Sequence, residues 1–276
     1  MSIVNLAHWS GGIGNNLEQL VNAYWYAEKT SGELNCIEHH ILKIPKKIVF
    51  GPNIQDTMRE RCFTNSGMMR SGMDDQLERF KSYNRILQKL GPTIFRKLPN
   101  KNFNGLIVHI RAGNIYRDPS VGKYLLQAPV SFFKKAMNTI KINKNILFIT
   151  NTKHGKDPKS YPNPMLKEAI AYCNQNNIEY QISDNEYKNA ISYLLNAEHA
   201  MITGYTTFSR MLLLSNSNLK SVILPLMGNW PHDTISFKFH GCATHYFNIN
   251  EHPELWSKDA VIWQKNHPIN KIKYIK

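Results

Sequence analysis

The stretch Leu106-Ile107-Val108-His109-Ile110-Arg111-Ala112-Gly113-Asn114 changes from an apolar run into a glycine-containing loop. The apolar run is typical of a buried strand. Because side chains alternate along a strand, His109 and Arg111 lie on the same face. Gly113 then opens a loop at the carboxyl end of the strand, where open α/β sheets bind ligands. Arg111 offers a planar fork for a diphosphate, although a structural ion pair at the strand end also explains an arginine here.

Downstream of this strand, apolar runs alternate with segments of helical periodicity. The predicted strands are residues 145–150, 178–183, 199–203 and 221–224, and the predicted helices are residues 130–141, 165–176, 187–197 and 207–215. These spacings favour a parallel sheet with crossover helices. An Asn- and Lys-rich linker precedes the series. We therefore predict an α/β chain of two Rossmann-like domains, residues 1–102 and 103–276.

The amino-terminal part begins in a similar way. Residues 3–7 predict a strand, residues 10–16 a glycine turn and residues 17–30 a helix. The pattern over residues 31–100 is weaker. It suggests short strands at 41–44 and 47–50, and a helix over 73–90 that Gly91-Pro92 ends.

The composition is that of a globular protein. The chain has 276 residues, is 42% hydrophobic and carries a formal net charge of +14. Its Lys and Arg residues are scattered, which favours a diffusely positive surface and a phosphate-bearing ligand over nucleic acid. No apolar run is long enough for a transmembrane segment, and residues 1–7 do not resemble a signal peptide. The four cysteines, without a C-x-x-C pair, suggest free thiols.

Two further motifs join a strand to a helix. In Gly11-Gly12-Ile13-Gly14-Asn15, the glycines allow a ligand to approach the backbone at a helix N-terminus. In Gly204-Tyr205-Thr206-Thr207-Phe208-Ser209-Arg210, hydroxyl groups gather at a helix start that suits a phosphate. A tight turn and simple helix capping explain these two segments equally well.

Together the three motifs resemble the superfamily of α-1,2-, α-1,6- and protein O-fucosyltransferases. The α-1,2 branch has a G-G-L-G-N-Q turn, an H-I-R-R-G-D strand end and an N-S-T-F-S-W-W helix start. These correspond here to residues 11–16, 109–114 and 205–211. The resemblance covers roughly residues 3–30 and 105–226.

The resemblance implies a B-type glycosyltransferase fold, in which two Rossmann-like domains face a cleft and a metal-independent inverting enzyme transfers a sugar. Arg111 would stabilise the departing diphosphate, with the donor mainly on the second domain. The donor-binding residues that it implies are Gly12, Gly14, Asn15, His109, Gly113, Asn114, Thr206, Thr207, Phe208 and Ser209. The partners would be a nucleotide-diphosphate sugar, most simply GDP-fucose, and an oligosaccharide or glycoconjugate acceptor.

No Asp-x-Asp pair suited to a metal-bound diphosphate occurs, so we expect no metal and no other cofactor, with Arg111 in the electrostatic role of a cation. Several residues are candidates for the general base. Glu18 lies one turn into the first helix, and Asp74, Asp75 and Asp118 are alternatives. The pairs His39-His40 and His232-Asp233 are interpreted as surface polar residues.

Three departures from the family pattern leave the donor open. Asn114 replaces an aspartate, Asn151-Thr152 replaces an acidic strand end, and Arg210-Met211 replaces two aromatic residues. A transferase that uses another donor, such as UDP-xylose, and a non-catalytic nucleotide-sugar- or glycan-binding relative are the alternatives. The expected location is the cytoplasm of a bacterial or virus-infected cell. A peripheral association with a membrane is the alternative.

Overall fold

The computed structural model describes residues 3–9, 11–51, 61–62, 76–111, 127–141, 145–150, 164–184, 187–204, 206–227, 239, 241–249 and 258–275. These residues form a mixed α/β protein, which confirms the predicted class. They group into two compact units. Unit 1 contains the described residues of Met1–Leu98 and the segment Thr207–Ser217, and unit 2 contains those of Pro99–Thr206, Asn218–Thr234 and Phe239–Lys276.

Unit 1 is built on a small sheet of order β3-β2-β1-β4. Its strands are β1 (Ile3–Leu6), β2 (Glu33–Cys36), β3 (Lys47–Val49) and β4 (Arg61–Cys62). Strand β1 pairs in parallel with β2 and β4, and β3 is antiparallel to β2. The carboxyl ends of β1 and β2 therefore lie at the same edge of the sheet.

The described residues of unit 1 include three helices, namely α1 (Ile13–Lys29), α2 (Gln76–Ile94) and α6 (Thr207–Leu214). Helix α1 is buried on most of its surface because it packs against β1, α2 and α6. Its polar residues in that interior are paired, and the Tyr83 hydroxyl of α2 donates to Asn22 Oδ1 at 2.5 Å. Helix α6 thus comes to unit 1 from a much later part of the chain.

The predicted end of α2 at Gly91-Pro92 is wrong, because the helix continues to Ile94. Proline normally pushes the preceding residue out of the helical region through a clash with its Cβ, and Gly91 has no Cβ. Pro92 also lies within the last turn, so few backbone hydrogen bonds are lost.

Unit 2 is built on a seven-stranded sheet of order β11-β10-β9-β8-β5-β6-β7. The strands are β5 (Leu106–His109), β6 (Ile146–Thr150), β7 (Tyr180–Asp184), β8 (His199–Ile202), β9 (Ser221–Met227), β10 (Ala243–Ile249) and β11 (Ile272–Ile275). Only β11 is antiparallel to its neighbour. From β5 the chain moves outward through β6 to β7, then returns to the other side of β5 and moves outward again through β8, β9 and β10.

The helices of unit 2 are α3 (Val130–Thr139), α4 (Pro164–Gln175), α5 (Tyr187–Leu195) and α7 (Lys258–Asn266), followed by a 3₁₀ turn at Ile269–Lys271. Strands β5 and β6 are buried along their whole length, as expected for central parallel strands covered on both faces. Phe132 and Phe133 of α3 pack with Phe148 and Phe247 of the sheet.

The alternation predicted for unit 2 is confirmed, with bounds that differ by a few residues. The strand predicted at residues 41–44 is wrong, since that segment forms a turn. Strands β2, β4, β10 and β11 and helix α7 were not predicted. Within the described residues, no helix combines the length and apolar character needed to cross a membrane. Cys36, Cys173 and Cys242 are free thiols.

Candidate functional site

The strand order of unit 2 reverses between β5 and β8, which are hydrogen-bonded neighbours. In open α/β sheets, ligands bind outside the carboxyl ends of the strands at such a switch point. His109 is the last residue of β5 and Arg111 follows it, while Thr206 follows β8. Two of the three sequence motifs therefore end at the same edge of this sheet.

The backbone at this switch point is held firmly. His109 pairs with Ile202, and its carbonyl oxygen accepts hydrogen bonds from the Thr203 amide at 3.2 Å and the Thr203 hydroxyl at 3.0 Å. The Ala128 amide in turn donates to the Thr203 carbonyl at 2.6 Å. These bonds fix the direction in which the chain leaves β5 toward Arg111.

The His109 side chain is 8% exposed. Burial, and secondarily the positive charge of Arg111, lower the pKa of His109 to about 3. The imidazole is therefore neutral at physiological pH and serves as a hydrogen-bonding group without charge. Arg111 itself is partly exposed and lies two residues after the end of β5. A positively charged guanidinium and an uncharged histidine therefore occur together at the switch point.

The other predicted donor residues of this region differ in how far they are described. Thr206 is buried and precedes α6. Gly113 and Asn114 lie outside the described residues, as does the alternative base Asp118.

In unit 1, the N-termini of α1 and α6 meet. The Thr207 hydroxyl, in the first turn of α6, donates to Asn15 Oδ1, in the first turn of α1, at 2.6 Å. Neither helix has an acidic residue in its first turn. Backbone N–H groups at a helix start have no partner within the helix and carry positive partial charge. Two such ends side by side produce a surface of unit 1 that attracts anions.

The two helix starts approach closely because Gly14 has no side chain. A Cβ at Gly14 would lie 2.6 Å from the Cα of Phe208 and closer still to its backbone nitrogen. Gly12 is different: among the described residues, no atom lies within 4 Å of the position that its Cβ would take. Gly14 therefore serves packing, whereas Gly12 is exposed and leaves the helix start open.

The remaining residues of α6 in the motif are Phe208, which is partly exposed, and Ser209, which is fully buried. The Ser209 hydroxyl has no hydrogen-bond partner among the described residues. The candidate base Glu18 is partly exposed and lies three residues after Asn15 on the same face of α1. Glu18 therefore lies one helical turn beyond the point where the N-termini of α1 and α6 meet.

The interpretation of His39 as a surface residue is wrong. His39 is 2% exposed, whereas its neighbour His40 is exposed as expected. Its Nδ1 accepts the backbone N–H groups of Ile41 and Leu42, both at 3.0 Å. The ring proton must then reside on Nε2, which donates to Asn16 Oδ1 at 3.1 Å. This bond ties the carboxyl end of β2 to the first turn of α1.

Burial and the neighbouring charge of His40 lower the pKa of His39 to about 4. A neutral ring is what its hydrogen bonds require, because a protonated Nδ1 could not accept two N–H groups. Sequence patterns missed this residue because strand β2, which precedes it, was not predicted. The signal was present in the polar residues that follow Cys36.

Within the described part of the chain, no three His, Cys, Asp or Glu side chains come together in a way that could hold a metal ion. Asp74, Asp75 and the pair His232-Asp233 lie outside the described residues.

No protein-family model, no curated protein and no solved structure matches this chain.

Proposed function

We propose that this protein is a glycosyltransferase that moves a sugar from a nucleotide-diphosphate donor to a carbohydrate acceptor without a metal ion. The donor that we favour is GDP-fucose, with inversion at the anomeric carbon. The proposal includes a B-type fold, in which each unit is a Rossmann-like domain.

The observation that carries the proposal is the hydrogen bond between Asn15 and Thr207. These residues belong to the glycine turn and the T-T-F-S segment, which are 192 residues apart in the chain. Both segments were selected from sequence alone as parts of a donor site. Their direct contact supports the view that they serve one purpose, although that contact also has a packing component at Gly14.

The switch point of unit 2 supplies the second support. Arg111 leaves β5 at the edge where doubly wound sheets bind nucleotides. A guanidinium binds a diphosphate through two parallel hydrogen bonds and neutralises the charge that develops as the nucleotide departs. The neutral state of His109, whose pKa is lowered by burial, adds no competing positive charge near Arg111.

The order of the parallel strands, β7-β6-β5-β8-β9-β10, corresponds to the 3-2-1-4-5-6 order of dinucleotide-binding sheets. This agreement concerns fold and not chemistry, because one fold serves many functions. It favours a nucleotide as the ligand of unit 2.

The decisive experiment is a thermal-shift measurement with GDP, UDP, ADP and CMP, followed by a donor hydrolysis assay. We expect GDP, or in the alternative case UDP, to raise the melting temperature, because a ligand that binds only the folded state stabilises it. Release of free sugar from the matching nucleotide sugar then separates an enzyme from a non-catalytic binding relative. If none of the four nucleotides stabilises the protein, the proposed function is wrong.

A further inference from the structure

A ring cluster covers the carboxyl ends of β1 and β2 in unit 1. Trp9 follows β1 and packs edge-on against His39, with ring centroids 5.0 Å apart and planes inclined by 76°. His40 also contacts His39, with ring centroids 4.6 Å apart and planes inclined by 18°, which is a stacked arrangement. Three rings from two strand ends thus form one continuous cluster at the ligand-binding edge of a parallel sheet.

Trp9 is held in a fixed orientation although it is only partly buried. Its indole N–H donates to the Glu38 carbonyl oxygen at 3.1 Å, and its ring packs against His39 in a T-shaped arrangement. His39 is itself fixed by its bonds to Ile41, Leu42 and Asn16. A ring whose polar atom is already bonded and whose position is fixed loses little freedom when a ligand stacks on it.

The segment whose backbone accepts the Trp9 hydrogen bond carries apolar and hydroxyl-binding side chains. Glu38 and His40 are exposed, and Ile37 is 39% exposed. A ligand that suits this surface has a flat apolar face for the indole and hydroxyl groups around its edge for a carboxylate and an imidazole. A pyranose ring has both, since its C–H groups form a face and its hydroxyl groups a rim.

We infer that Trp9, Glu38 and His40 form a saccharide-binding platform on unit 1, where the indole stacks on a sugar ring and the Glu38 carboxylate accepts hydrogen bonds from its hydroxyl groups. The platform deepens the proposed function, on which its role rests, because its sugar is the acceptor. His39 is a positioning residue that fixes Trp9 and does not contact the sugar.

The test is direct binding of four probes, chitobiose, lactose, maltose and methyl α-mannoside, to the full chain by isothermal titration calorimetry. We expect at least one of them to bind. For that sugar, Trp9→Ala weakens binding by roughly tenfold or more, whereas Trp9→Phe, which keeps a ring face, weakens it by no more than about threefold. Glu38→Gln keeps the backbone carbonyl that holds Trp9 and weakens binding by about fivefold. Tyr187→Ala, which removes an exposed ring of unit 2 (41% exposed), changes nothing.

Three results would overturn the platform: no binding of any of the four probes, binding that Trp9→Ala leaves unchanged, or loss of the nucleotide-induced thermal shift in Trp9→Ala, which would assign the ring to a nucleobase. If Trp9→Ala does not fold, Glu38→Gln decides, since wild-type affinity in that variant contradicts the inference. If sugar binding depends on Trp9 but no nucleotide stabilises the protein, the platform is supported and the proposed transferase function is wrong.

Discussion

The glycine turn of unit 1 and the strand end of unit 2 are both predicted from sequence to take part in ligand binding, yet they are built differently. In unit 1, Gly14 lies against the backbone of α6, and Asn15 is bonded to Thr207. In unit 2, the main chain at His109 is bonded to Thr203, and the side chain that follows, Arg111, is partly exposed. A glycine motif therefore combines packing positions with exposed ones, whereas at the strand end a backbone held by hydrogen bonds is followed by a partly exposed side chain.

This difference has a practical consequence for mutagenesis. In unit 2, a change of side chain at Arg111 tests ligand chemistry, because the backbone is held by other residues. In unit 1, the outcome depends on which glycine is changed. The predictions below separate these cases, beginning with the largest expected effect.

Replacement of Gly14 by valine gives the largest effect, and it is an effect on folding. The new Cβ would meet the backbone of Phe208, which cannot turn aside as a side chain could. We expect a loss of about 3 kcal/mol in the free energy of unfolding, measured by urea denaturation, with binding affected only as a consequence.

The matched control is Gly12→Ser, two residues away in the same motif. Gly12 has φ −80° and ψ 175°, which any residue adopts, and serine caps helices well. We expect stability within about 0.5 kcal/mol of the wild type. Turnover should fall more than nucleotide affinity if the open helix start approaches the substrate. Wild-type stability in Gly14→Val would mean that the two helix starts are not in close contact.

Arg111→Ala tests the strand end of unit 2. Loss of one preorganised charge that stabilises a leaving group costs about 2–4 kcal/mol in transition-state stabilisation, as judged from kcat/KM. Arg111→Lys should also be poor, because lysine lacks the planar fork. Near-wild-type turnover in Arg111→Ala, with an unchanged melting temperature, would make this arginine irrelevant to the chemistry.

A double-mutant cycle of Asn15→Ala and Thr207→Val measures the contact that joins the two motifs of unit 1. A buried neutral hydrogen bond contributes about 1 kcal/mol to stability, so we expect a coupling energy of that size. The measurement is chemical denaturation of the wild type, both single variants and the double variant. Additive effects would show that the contact at 2.6 Å has no energetic weight.

Two of the buried histidines, His39 and His109, predict how stability depends on pH. The pKa of His39 is lowered to about 4 and that of His109 to about 3, so the folded protein resists protonation that the unfolded chain accepts near pH 6.5. Their contribution to stability is complete above pH 6.5 and is lost as the pH falls toward 4. Denaturation at several pH values should show this decline, and His39→Asn should have a shallower one. Parallel curves for the variant and the wild type would argue against a neutral His39.

Treatment with EDTA should leave turnover unchanged, which is the smallest effect of the series. The reason is that the chain has no Asp-x-Asp pair and that Arg111 is assigned the electrostatic role. Loss of activity with EDTA and its recovery with Mn²⁺ would reject this assignment.

Much of unit 2 could be predicted from sequence because its central strands are short apolar runs between helical segments. Leu106–His109 and Ile146–Thr150 are buried on both faces, which produces a signal that local patterns detect. The edge of the sheet was harder to predict. Strand β10 is exposed or partly exposed over its first four residues, with only Phe247 and Ile249 buried, and β11 is antiparallel, so neither fits the series.

The errors in the sequence predictions for unit 1 have a different physical origin. There, a side chain forms the hydrogen bonds that a regular strand would form through its backbone. The apolar segment at residues 41–44 resembles a strand, but the His39 ring accepts the N–H groups of Ile41 and Leu42 and folds it into a turn. Likewise, the meeting of Asn15 with Thr207 depends on a tertiary contact across most of the chain. Sequence motifs selected both residues, but only the fold brings them together.

Helix α6 also bears on how the protein is made. Unit 1 is not a continuous stretch, since its helix α6 is synthesised more than a hundred residues after Leu98. At about 5–20 residues per second, the ribosome needs roughly 6 to 24 seconds to supply it. During that interval the face of α1 that receives α6 is uncovered, and a chain that ends at Leu98 would keep it uncovered permanently. We therefore expect the amino-terminal part to be a poor choice for expression on its own.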